Sequence, residues 1–253
     1  MVWDDGSLRE PLLVEQEWNK ACVSYMYENT EKGYAIDTLS NGLAYTCSDT
    51  GWSRFGTYRT DLYGLIKGVK IAEQTWMAEN LDLNSGIGFY CYDDFPPNCT
   101  MKYGTLFTWA AAMDSVGRWS SNSKDCGNGK ICSPSYPVRG ACPEGWHLPS
   151  KVEWEKLFRE VGGMSVAGKF LRSVSGWDND GANGLDTYAF SALPAGCRFG
   201  NGKYDGEGEV AHFWSSSENG LGGAYFVNLI PADKAQIYAD NKNVARSVRC
   251  VKD

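Results

Sequence analysis

Nine cysteines, none of them in a Cys-x-x-Cys pair, constrain this chain more than any other feature. Zinc sites ask for cysteines two to four residues apart with further Cys or His partners. Here Cys91/Cys99 and Cys126/Cys132 are wider, and His147 and His212 are the only histidines. Disulfides Cys91–Cys99 and Cys126–Cys132 are the better reading, in a secreted, periplasmic or cell-surface protein where oxidising conditions preserve them. An odd count leaves one thiol over.

At 253 residues the chain suits one large domain, or one with a small appended module. The net charge of −7, without a basic cluster, argues against nucleic acid or an anionic membrane as partner. No run of eighteen apolar residues is present to form a transmembrane helix. Met1-Val2-Trp3-Asp4-Asp5 lacks the basic start and apolar stretch of a signal peptide, so the chain reads as mature or trimmed.

Residues 1–62 read as a small β-hairpin module. Ala35–Ser40 and Leu43–Cys47 flank Asn41-Gly42, and Cys22 is the natural partner of Cys47, giving a staple that so small a core needs. Residues 63–253 form the second domain. It begins with a second hairpin, Gly68–Ile71 and Thr75–Met77. Leu106, Trp109, Ala110 and Met113 have the spacing of a first helix. Ser120–Tyr136 is a loop pinned by Cys126–Cys132. Ser150 and Glu153 form a capping box ahead of the apolar stripe Trp154, Leu157, Phe158 and Val161, and Gly162-Gly163 ends that helix. Arg172–Glu209 is long, Gly-rich and irregular, which points to function. Ala224–Ile230, Lys234–Ala239 and Val244–Val251 alternate as a closing β meander.

Two features carry candidate chemistry. Asp178, Asp180 and Asp186, with Asn179, Gly181 and Asn183, form an oxygen-rich stretch that suits calcium, weighed against a solvated turn. Trp177, Tyr204 and Asp205 in the Gly-rich loops, with Phe226 and Tyr238 on the solvent face of the meander, are the candidate ligand surface. Trp214 beside Phe213 reads as core. His147, at a helix entry, reads as a structural hydrogen-bonding residue, and no Ser-His-Asp spacing accompanies it or His212. Glu207 and Glu209 share one loop and give no assurance of the separation a glycosidase pair requires. No catalytic residue is assigned.

Six motifs then occur in order. They are Thr75–Leu81, Tyr103–Met113, Cys142–Ser150 leading into Glu153-Trp154, Phe190–Gly196, Phe213–Ser217 and Ser247–Val251. From about Tyr63 to Asp253 the chain closely resembles the Fibrobacter succinogenes major paralogous domain family. That resemblance implies a surface-exposed or secreted bacterial protein, often a lipoprotein. It also implies a branch of the C-type lectin-like fold, related in pattern to formylglycine-generating enzymes. It further implies that Cys142 bridges to Cys250. Cys197 stands where relatives carry Tyr, and so is the expected free thiol. Ala72-Glu73 replaces the usual Gly-containing turn. The calcium-dependent sugar motifs of C-type lectins, and the redox cysteine pair with copper of the formylglycine-generating enzymes, are not found.

The expected fold is therefore α+β and C-type lectin-like. Two helices flank a small twisted antiparallel sheet with long loops, stapled by disulfides, with an N-terminal hairpin module. The expected function is non-catalytic recognition or adhesion at the bacterial surface, with plant cell-wall polysaccharide as the leading ligand. A surface protein partner is the alternative and an enzyme related to formylglycine generation the second. Calcium is the only cofactor the sequence leaves room for.

Overall fold

The structure is a computed structural model. It describes residues 35–38, 43–48, 51–60 and 64–253 other than 84–85 and 179–182, with side chains from Ile66 onward except those of residues 100 and 101. The Cys22–Cys47 pairing and Asp180 lie outside the described residues and side chains. Contacts divide the chain into two compact units, Met1–Lys70 and Ile71–Asp253.

In the first unit, β1 (Ala35–Thr38), β2 (Leu43–Ser48), β3 (Gly51–Thr60) and β4 (Gly64–Ile71) run as an antiparallel meander. The expected pairing of the first two strands is present, with Ala35 opposite Cys47 and Thr38 opposite Ala44.

The second unit is mostly β. Its smaller sheet sets β15 (Val251–Lys252) between β5 (Gln74–Met77) and β8 (Trp146–His147). Its larger sheet has the order β13 (Ala235–Asn241), β12 (Gly223–Leu229), β11 (Ala211–Asn219), β9 (Ala195–Arg198), β14 (Ala245–Ser247), β7 (Leu106–Thr108) and β6 (Phe89–Tyr90), with β10 (Tyr204–Glu207) beside β9. Three helices accompany them: α1 (Trp109–Ala112), α2 (Lys151–Glu160) and α3 (Ala167–Leu171). Short helical turns fill Tyr92–Tyr103.

Helix α2 forms as the sequence requires. The Ser150 hydroxyl accepts from the Glu153 amide, and the Glu153 carboxylate accepts from the Ser150 amide at 2.7 Å. Trp154, Leu157 and Phe158 face inward, and Gly162 and Gly163 take positive φ beyond the last turn. Trp154 lies 4.6 Å from Trp76 and 5.6 Å from Phe213, centroid to centroid, and Phe190 closes the cluster. Trp214 is fully buried, and its indole donates to the Phe107 carbonyl at 2.7 Å.

Three expectations are corrected. Leu106 begins a strand, and the helix is confined to Trp109–Ala112, because β14 and β6 claim Leu106–Thr108 for the sheet. Arg172–Glu209 is not wholly irregular, since β9 and β10 form a hairpin within it. The closing meander also breaks: β14 leaves β13 to pair with β7 and β9, and β15 crosses to the smaller sheet.

Cys91–Cys99, Cys126–Cys132 and Cys142–Cys250 are bonded, with Cα separations of 5.0, 5.0 and 6.0 Å, and Cys197 is free and buried. The Cys126–Cys132 loop is also held by an internal charge. The fully buried Lys242 ammonium donates to the Gly127, Lys130 and Leu221 carbonyls and to Glu218, which in turn accepts from the Cys132 amide. A register shift in β11 between Trp214 and Glu218 accompanies this arrangement.

His147 sits between two carboxylates, Glu153 at 2.7 Å and Asp253 at 2.6 Å. Burial alone would lower its pKa, but the two acids outweigh burial and raise it, while the same contact lowers that of Glu153. A raised histidine pKa stabilises the folded state fully below the unfolded value near 6.5, and that contribution fades as pH climbs through the folded value. Glu153 acts oppositely, losing its contribution as pH falls below about 4.5. Stability from this cluster should therefore peak between these limits and decline from pH 6.5 upward. Urea midpoints from pH 5 to 9 should show that decline in the native protein and a flatter profile in His147→Asn. Parallel profiles would remove His147 from the account.

Candidate functional site

The sequence-derived surface residues do not converge. Trp177 is only 6 % exposed: its indole donates to the Ser173 hydroxyl at 3.1 Å and the Arg172 guanidinium lies 5.1 Å from its ring. Gly-rich flanks suggest an open loop, but those two partners draw the ring inward. Phe226 is likewise buried, packed under Arg246 at 3.8 Å and edge-on to His212. The half-buried His212 imidazole has its pKa pushed down to about 3 by desolvation, with Arg246 adding to it. Tyr238 is exposed on β13 beside Phe226. Asp205 is exposed on β10 opposite Cys197. Tyr204 is half-buried, and its hydroxyl donates to Asp94 at 2.7 Å. Burial first, and then that carboxylate, push its pKa up to about 12.

Of the expected calcium ligands, Asp178 and Asp186 are described and do not face a common site. Asp186 is buried and turned inward, accepting from the Ser191 amide at 2.7 Å and the Ser191 hydroxyl at 2.5 Å. Asp178 is exposed, and among the described residues no cluster of three or more His, Cys, Asp or Glu side chains has metal-binding proximity. Glu207 accepts from Lys102 at 3.0 Å and Tyr103 at 2.9 Å, so it serves as a structural acceptor.

A different part of the second unit forms a cleft of about 660 Å³, within the range typical of small-molecule sites. Strands β6 and β7 and helix α1 supply its floor. Gly88 has φ +88°, and a Cβ there would lie 2.6 Å from the Thr108 hydroxyl, so only glycine allows β6 to approach α1 this closely. The Gly88 carbonyl accepts from the Thr108 amide at 2.8 Å. Thr108 also caps α1, its hydroxyl accepting from Ala111. Ala110 and Ala111 also line the floor, their small side chains leaving it open.

One wall is the turn after α1. The buried Asp114 carboxylate accepts from the backbone amides of Arg118, Trp119 and Ser120 at 2.8, 2.7 and 2.8 Å. Three such bonds wrap residues 114–120 around one carboxylate and fix where Trp119 stands. Arg139 secures the Trp119 carbonyl from behind at 2.9 Å. Trp119 meets Phe89 edge-to-face at 6.2 Å, and Phe89 packs on Phe107 at 5.2 Å. Arg198 of β9, Gly200 and Asn243 also line the cleft. The Arg198 guanidinium lies 3.9 Å from the centre of the Tyr90 ring. Ile87 and Val116, both highly exposed, complete the cleft lining.

A family model described as the Fibrobacter succinogenes major domain matches residues 69–252. The chain belongs to that family. No curated protein and no solved structure matches it. All the cleft residues lie within the span of this major domain, but in five separate stretches of it: 87–90, 108–111, 114–119, 198–200 and 243. None belongs to the aromatic set chosen from the loops. The local signals that could have found them were the Thr108 cap and the Gly88-Phe89-Tyr90 run ahead of Cys91.

Proposed function

We propose that the major domain recognises a glycan without altering it, at the bacterial surface or in secreted form, and that the cleft between Trp119 and Arg198 is where the sugar sits. One observation carries this reading: three half-buried aromatic rings, Phe89, Tyr90 and Trp119, line a cleft of about 660 Å³. Such rings offer the apolar, polarisable faces on which sugar rings stack, while Thr108 and Asn243 supply hydrogen-bonding groups. Recognition is favoured over catalysis because the lining carboxylate, Asp114, already accepts three backbone amides. The three disulfides of this unit support an extracytoplasmic location. We read the fold as C-type lectin-like. Support comes from the Cys142–Cys250 bridge, which ties the approach to α2 to the penultimate stretch of chain, and from the pair of sheets in this unit.

A glycan array should return binding to one class of plant or microbial polysaccharide. Trp119→Ala should then weaken it tenfold or more, and Tyr238→Ala, outside the cleft, should leave it unchanged. Silence across the array would end the glycan reading. A protein partner is the second reading, favoured by the exposed Ile87 and Val116 in the cleft lining.

A further inference from the structure

We propose that the cleft selects a sugar bearing a carboxylate, a uronic acid unit, and that Arg198 reads the charge. This rests on the glycan reading above and names its substrate class. The protein as a whole is acidic, at −7, yet the charged groups lining the cleft are two guanidiniums, Arg118 and Arg198, against one carboxylate, Asp114. Asp114 is buried and its charge is spread over three backbone amide bonds, so it repels an incoming anion weakly.

Arg198 is the distinctive group. Four other arginines of this unit are committed: Arg172 to Asp233, Arg246 to Asp240, Arg249 to Asn80 and to backbone carbonyls, and Arg139 to two carbonyls. The Arg198 side chain makes no hydrogen bond or ion pair among the described residues, and its buried Nε has no partner. The Tyr90 ring centre 3.9 Å away and the Tyr204 ring centre 5.7 Å away hold the guanidinium in place. A half-buried guanidinium, held between aromatic rings and without an acidic partner among the described residues, is prepared to receive an anion. Its planar donor set matches a carboxylate better than a hydroxyl, and the partly desolvated setting strengthens the pairing. The neighbouring rings would then take the sugar face while the acid group meets Arg198. Tyr204, singled out for ligand contact from the sequence, acts one step back: its hydroxyl is tied to Asp94 and its ring braces Arg198.

The test is calorimetric titration of the full chain with tetragalacturonic acid, its methyl ester and cellotetraose. The acid should bind at least tenfold tighter than its ester, and raising sodium chloride from 50 to 500 mM should weaken the acid alone. Arg198→Gln should bring the acid down to the level of the ester and leave the ester unchanged. The salt series on the native protein keeps the test valid if the variant fails to fold. Equal binding of acid and ester overturns the charge selection and leaves the glycan reading standing. Binding of cellotetraose alone does the same. Failure of all three overturns the selection, and silence across the wider array then removes the glycan reading as well.

Discussion

Serine at both Cys142 and Cys250 should lower the unfolding free energy of the major domain by roughly 4–5 kcal/mol, the largest single loss expected from any of its disulfides. The bridge spans 108 residues. In the chain-entropy treatment, closing a loop of that length removes about that much free energy from the unfolded ensemble. Cys91–Cys99 and Cys126–Cys132 close spans of 8 and 6 residues, for which the same treatment gives about 2–3 kcal/mol each. The position of the long staple adds to the argument. Cys250 lies next to β15, the strand that β5 and β8 both pair with, and the Cys250 carbonyl accepts from the Met77 amide. With domains of this size typically stable by 5–15 kcal/mol, the loss approaches the whole margin. Guanidinium melts of the three paired-serine variants should rank the long loop well above the other two. A long-loop variant that loses no more than the short ones would show that packing of β15, and not covalent closure, holds the small sheet.

What could be read from the sequence was what neighbouring residues decide among themselves. The Ser150–Glu153 capping box and the stripe behind it specify α2 within a dozen residues, and the helix falls where they require. Strands β12 and β13 were legible from alternation, and the short-loop disulfides from proximity. Leu106 was misread because its helical spacing is real but weaker than the sheet contacts made by residues 245–247, almost 140 positions later. Asp186 was misread for a related reason. Its sequence neighbours are polar and suggest a solvated cation loop, yet Ser191 and the distant Arg249 make an internal site for it. The cleft was least legible of all. Its aromatic and basic lining comes from β6, the turn after α1 and β9, with Asn243 from the turn before β14, and the few local signals in these stretches do not show that they converge.

Replacing Arg249 with methionine should destabilise the domain by about 3–5 kcal/mol, although a buried charge has been removed and an apolar side chain of similar length put in its place. Exchanging a buried ion pair for hydrophobic residues is often neutral when both partners go. Arg249 differs because its partners cannot be removed with it. The guanidinium, wholly buried, donates to the Asn80 side-chain oxygen at 2.6 Å and to the backbone carbonyls of Met77, Phe190 and Ser191. Each acceptor left buried and unpaired costs on the order of 1–3 kcal/mol, partly offset by relaxation. Burial pushes the arginine's pKa down to about 9, with Asp186 and Glu79 opposing that shift, so the group stays charged at neutral pH. Asp186 in turn has its pKa raised by burial, against which Ser191 and Arg249 act. Arg249→Met should therefore leave Asp186 as an uncompensated buried acid, and Asp186→Asn should recover part of the loss. A double-mutant cycle with these two substitutions should give a coupling of about 1 kcal/mol or more. Arg249→Lys should also lose stability, since one ammonium cannot reach acceptors on Asn80, Met77 and Phe190 together. If Arg249→Met costs under about 1 kcal/mol, the carbonyls have found other donors and the guanidinium is not what joins the segments carrying Met77, Asn80 and Phe190 to the stretch leading into Cys250.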